Sequence, residues 1–156
     1  MSSEEHGLST PAQVEALADQ LAASADQLHA RLKEDAAAIA AMPDSDPARA
    51  QRRAAAKVML EAEQELRQRA NGLYADAATT VVGKLGMPQQ HVIALTAAAA
   101  EKIRKITLVG DAVGLVAGLL ALAGAVASRR PGPALAALET IRVQVGAVKA
   151  SLPARH

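Results

Sequence analysis

Apolar residues in the first forty positions recur in steps of three and four. Val14, Leu17, Leu21, Ala25, Leu28, Leu32, Ala36 and Ile39 follow one another at intervals of 3, 4, 4, 3, 4, 4 and 3. This is an eleven-residue repeat, close to the pitch of a straight α-helix, and it predicts a helix from Pro11 to about Met42. Thr10 stands at the N-cap, Pro11 at the first helical position, and Gln13 completes a capping box. The turn Pro43-Asp44-Ser45-Asp46-Pro47 ends this helix and caps a second. Met59, Ala62, Leu66, Ala70, Leu73, Ala77 and Val81 continue the same period, predicting a helix to about Leu85 with a break at Asn71-Gly72. So short a turn folds the pair antiparallel, with nearly straight, coiled-coil-like packing. The expected hairpin core is Leu17, Leu21, Leu28, Leu32, Met59, Leu60, Leu66 and Leu73. In that register Leu28 faces Leu60, Leu32 faces Ala56, and Arg53 comes beside Asp35.

From Pro88 no proline interrupts the chain until Pro131, which predicts one helix over 88–130, about 64 Å long. Pro131-Gly132-Pro133 ends it, and an amphipathic return helix over 133–151 follows. That helix sets Leu135, Leu138, Ile141, Val145, Val148 and Leu152 on one side and Glu139, Arg142 and Lys149 elsewhere. No stretch alternates with period two. The expected fold is all-α: a disordered tail over 1–10, a hairpin over 11–86, the long helix, the return helix, and a tail over 152–156.

Within the long helix, 106–128 reads ITLVGDAVGLVAGLLALAGAVAS, carrying one charge, Asp111. Lys102, Arg104 and Lys105 precede it, and Arg129 and Arg130 follow. The length suits a bilayer core, which needs about 20 apolar residues. Gly110, Gly114 and Gly118 form a GxxxGxxxG glycine zipper, a flat strip that lets another helix approach closely; Gly124 is a fourth glycine in the segment. On an insertion scale the ten large aliphatics contribute about −3 to −6 kcal/mol, against about +2.5 to +3.5 for a central Asp111. The balance is marginal. Two readings stand: a membrane helix, or the buried central helix of a soluble bundle, since a helix apolar all round is buried somewhere. A helix that inserts on oligomerising joins the two. Over Gly110–Arg130 the stretch resembles the glycine-rich tail anchors of small bacterial inner-membrane proteins that end in Arg-Arg. Those anchors close their chains, whereas 26 residues follow Arg130 here.

Composition narrows the function classes. The 156 residues suffice for one domain. Alanine supplies a quarter of them, with no Phe, no Trp and one Tyr, Tyr74, which excludes an aromatic base-stacking platform or an aromatic cage. Having no cysteine, the chain has neither a disulfide frame nor a thiol nucleophile. Net charge is +1, but residues 1–50 carry nine acids against three bases while the rest carries fourteen bases against seven acids. The acidic part is expected to lie against the basic part, within one chain or between copies. MSSEEHGLST has no basic or apolar signal region, so the expected location is the bacterial inner membrane or the cytoplasm.

Chemical motifs are sparse. Asp26 and His29 stand three apart, half of a carboxylate-bridged metal site, but His91 has Pro88 where the second acid would be. There is no HExxH, nucleophile elbow or phosphate loop. Near-zero net charge and the lack of stacking residues argue against nucleic acid as a partner. The expectation is a non-enzymatic protein without cofactor or metal, membrane-associating and self-assembling through the glycine zipper, with Asp111 near the lipid interface pairing with Lys105 or Arg104. Its partners would be a second copy and the bilayer. The alternative is a soluble helical-bundle adaptor, scaffold or chaperone whose apolar helix is buried in the bundle or by a helical partner.

Overall fold

A computed structural model describes residues 6–151, with side chains as far as Gly146. Five helices pack against one another: α1 (Pro11–Ala40), α2 (Pro47–Ala75), α3 (Gln89–Lys105), α4 (Val113–Ala127) and α5 (Pro131–Ser151). A 3-10 turn, Val109–Ala112, leads into α4. No strand occurs among the described residues. α1 packs on α2 and α3, α4 on α5 and α2, and α3 on α5.

The helix starts are local chemistry. Thr10 caps α1 by accepting from the Gln13 amide at 3.2 Å, and the Gln13 side chain returns to the Ser9 amide at 2.9 Å. Asp46 caps α2 through the Ala48 amide at 2.9 Å. In both helices proline occupies the first turn, where its missing N–H costs nothing.

Four expectations about element bounds are corrected. The helix over 88–130 is broken at 106–108, where Ile106 and Leu108 are extended. Ile106, Thr107 and Val109 are β-branched and Gly110 follows, a run with poor helix propensity, and the break lets Ile106 and Val109 enter the core. α3 ends there on Lys102, Arg104 and Lys105, which complement its C-terminal dipole. Second, α2 runs through Asn71-Gly72 and ends at Ala75, not Leu85. The β-branched run from Thr79 to Val82 disfavours further helix, and the Thr79 and Thr80 hydroxyls bond the Asp76 carbonyl instead. Third, Pro131-Gly132-Pro133 opens α5, because prolines fit a helix's first turn. Fourth, residues 6–10 of the expected disordered tail are tied down. Leu8 is wholly buried, its carbonyl accepts from the Val82 amide at 2.7 Å, and the Gly7 amide donates to the Met87 carbonyl at 2.8 Å. A Cβ at Gly7 would sit 2.7 Å from that carbonyl oxygen, so only glycine permits the approach.

α4 ends in a Schellman motif. The Arg130 amide bonds the Ala125 carbonyl at 2.9 Å, and Arg129 takes φ 55°, a left-handed conformation ordinarily given to glycine. On α5, Leu138 and Ile141 are buried as expected, whereas Leu135 is 37% exposed. The side chains of Val148 and Lys149, together with residues 152–156, lie outside what is described.

Of the expected hairpin core, Leu17, Leu21, Leu28, Leu32, Met59, Leu66 and Leu73 are buried, but Leu60 is 46% exposed. It stands one residue, about 100°, round the helix from Met59 and so lies off the buried stripe of Met59, Glu63, Leu66, Ala70 and Leu73. His29 meets Glu63, Asp26 meets Arg67 and Asp19 meets Tyr74, so toward the far end of the pair the contacts run about one helical turn beyond the expected register. Near the turn Asp35 takes Arg52, not Arg53.

Candidate functional site

Two regions carry the residues singled out by sequence: the apolar helix and the α1–α2 surface. The span Val109–Ala127, 19 residues of mean hydropathy 2.0, is long and apolar enough to cross a membrane, and 56% of it is buried inside the bundle. Most of its large side chains turn inward, with Ala112, Gly118, Ala123 and Ala125 buried among them. Leu115, Val116, Leu119, Leu122 and Val126 are buried, whereas Ala117, Ala121 and Ala127 face solvent with Val113. Such sorting belongs to the core helix of a bundle, where large side chains fill the interior and the exposed strip needs none.

The glycines face partners within the chain. A Cβ on Gly118 would lie 3.0 Å from Ile141 Cγ1 and 3.4 Å from Thr140 Cγ2, both on α5. On Gly114 it would lie 2.6 Å from Gln144 Oε1. Gly110 approaches Ala55 of α2 at 3.6 Å, and Gly124 has nothing within 4 Å. Within the chain, the close approach to Gly114 and Gly118 is made by α5, through Gln144 and Ile141. Their three-residue spacing on the return helix was the available sequence signal.

Asp111 lies exposed in the 3-10 turn and takes neither expected partner. Arg104 and Lys105 both turn to Glu101, whose carboxyl is held below its ordinary value first by the Arg104 hydrogen bond. Asp111 instead lines a cavity of about 140 Å³ with Gln51, Asp35 and Arg52. Asp35 is buried and paired to Arg52 through one oxygen, while its other oxygen and the Nε atoms of Arg52 and Arg31 have no partner among the described residues.

Glu63, also buried, accepts from Arg67 Nε at 2.8 Å and lies 3.2 Å from His29 Nδ1. Arg67 also reaches Asp26 at 2.9 Å. Both members of the sequence pair Asp26 and His29 thus serve cross-helix contacts. No cluster of three metal-ligating side chains occurs among the described residues. Tyr74 donates to Asp19, and that hydrogen bond, then burial and the nearby carboxylate charges, push its phenol up to about 12.

The sequence reading missed one feature. On the outer face of α1 and α2 an apolar cavity of about 410 Å³ is floored by Leu32, Ala36, Ala56 and Leu60 and rimmed by His29, Lys33, Arg53 and Lys57. A second, of about 310 Å³, shares Ala36, Arg53 and Ala56 and extends it toward Ile39 and Ala40. Leu60, three and seven residues after Lys57 and Arg53 and so on the same helix face, was its sequence signal. Comparisons with protein-family models, with curated proteins and with solved structures find no match to this chain.

Proposed function

We propose that this protein is a non-enzymatic helical-bundle adaptor that keeps its one membrane-length helix as part of its own core and presents the α1–α2 hairpin to a partner. The observation that carries this reading is the inward turn of most large side chains of α4, with Gly114 and Gly118 seated against α5. The hairpin is antiparallel and coiled-coil-like. Its support is the run of cross-helix pairs from Asp35–Arg52 beside the turn to Asp19–Tyr74 at the far end. On this reading the protein works in the cytoplasm. Fractionation with a sodium carbonate wash tests it: the chain should leave the membranes and behave as a discrete helical species. Recovery in the carbonate-resistant pellet would overturn the reading.

A second reading is membrane association with self-assembly, favoured by the length and hydropathy of Val109–Ala127. In that state α4 leaves α5, Arg129 and Arg130 flank the bilayer, and Gly110, Gly114 and Gly118 pack against another copy as a glycine zipper. Liposomes should then convert the protein to an oligomer that Gly114→Leu abolishes while helicity persists. A size unaltered by liposomes would end this second reading.

A further inference from the structure

We infer that the groove between α1 and α2 binds an acidic amphipathic helix of a partner protein, a proposal that rests on the adaptor reading above. The inference starts from an imbalance of charge. α1 and α2 contain six arginines, and five of them, Arg31, Arg49, Arg52, Arg67 and Arg69, each hold a carboxylate. The exception is Arg53. It stands on the groove rim with Lys33 and Lys57, all three exposed and without an ion pair among the described residues. A chain that neutralises every other arginine on these helices leaves three cations gathered around one apolar floor.

The floor decides what the cations are for. Nucleic acid or a free anion would need only the bases, whereas Leu32, Ala36, Ala56 and Leu60 offer apolar contact with almost no polar surface. The groove is a valley between two helices and continues from Leu32 to Ala40, about two helical turns. A helix lying in such a valley places apolar anchors at i, i+4 and i+7 on the floor and acids on either side, under the rim cations. Electrostatic complementarity of this kind speeds encounter and fixes register.

A second copy packed through this same face, or through the Asp19–Asp26 stretch of α1, does not fit. Packing the same face on itself sets the unpaired bases against one another. Turning the copy to present its acidic stretch offers Asp19 and Asp26, already engaged by Tyr74 and Arg67, with Ala22 and Ala23 between them and no large apolar anchor.

Peptide display against the immobilised full-length chain tests the proposal, using a randomised library of helix-forming peptides about 14 residues long. Enriched sequences should carry Leu, Ile or Met at i, i+4 and i+7 flanked by Asp or Glu. Arg53→Glu/Lys57→Glu should weaken a selected peptide by at least about tenfold. Leu60→Glu should do the same, and the charge-matched Arg104→Glu/Lys105→Glu on α3 should not. Binding should also fall as salt rises from about 0.1 to 1 M and the Debye length shrinks from about 10 to 3 Å. All the substituted side chains are exposed, so circular dichroism should report unchanged helicity in each variant. Absence of acidic apolar enrichment overturns the proposal, as does binding indifferent to the groove substitutions. Two other outcomes also overturn it: a dimer in light scattering that Arg53→Glu/Lys57→Glu dissolves, or co-sedimentation with phosphatidylglycerol vesicles lost in that variant. None of these results alters the carbonate test, so failure of the groove and failure of the adaptor reading are separable.

Discussion

Substitution of the α4 glycines should separate close packing within the chain from a surface strip. In an open helix interior, Gly to Ala gains about 0.5–1 kcal/mol by restricting the unfolded chain. Gly124 has nothing within 4 Å of a built Cβ, so Gly124→Ala should realise that gain and raise Tm by about 1–4 °C. Gly118 differs because its Cβ would stand 3.0 Å from Ile141 Cγ1, a buried side chain. Ile141 must give way, and the propensity gain of Gly118→Ala should be cancelled to near zero. Gly118→Leu drives further carbons into the α4–α5 seam and should cost about 1–3 kcal/mol through overpacking. Gly114→Ala is intermediate, since the overlap at 2.6 Å is with the end of the Gln144 side chain, which can swing away. Urea unfolding followed by helical circular dichroism measures all four, and native helicity should survive in each. If Gly118→Leu proved as stable as the parent, α5 would not be seated on that glycine and the argument for a core helix would collapse.

Arg52→Ala should destabilise by about 3 kcal/mol because it strands the buried Asp35 carboxylate, while Asp35→Leu/Arg52→Leu should recover most of the loss; a double-mutant cycle in urea reads both. Arg129→Gly should stabilise by about 1 kcal/mol, because the capping position at φ 55° suits glycine and strains a side chain; thermal unfolding checks it. Tyr74, the only aromatic residue, titrates at about 12 where 10 is ordinary, so its contribution to stability is complete below pH 10 and is lost as pH rises from 10 to 12. Tyrosinate absorbance should show that titration, and Asp19→Asn should return it toward 10.

The elements that rest on near-neighbour chemistry were legible in the chain. Thr10-Pro11 and Asp46-Pro47 announce the starts of α1 and α2, because a cap needs only residues one to three positions away. The eleven-residue period marks the buried stripe of α1, because burial on one face imposes the helical repeat on the sequence. The apolar stretch with its spaced glycines was equally plain. What covers that stretch was not, since hydropathy is the same whether lipid or protein receives a leucine.

Tertiary packing settled the rest. It placed α5 on Gly114 and Gly118, because the break at 106–108 turns α4 back into the bundle, and a β-branched run lowers helix propensity without dictating where the chain goes next. It also set the register of α2 on α1. Two helices of the same period can slide by a turn and still interdigitate, and the choice made is marked by cross-helix pairs such as Asp26 with Arg67 and His29 with Glu63. The fold leaves Leu60, one position off the buried stripe of α2, at the surface and gathers Lys33, Arg53 and Lys57 around it. Sequence by itself therefore determined that the chain is helical, where α1 and α2 begin, and the apolar stripe of α1. Only the folded structure decided which apolar faces are spent on one another and which remains open, because that depends on register between distant segments and not on any residue's own preference.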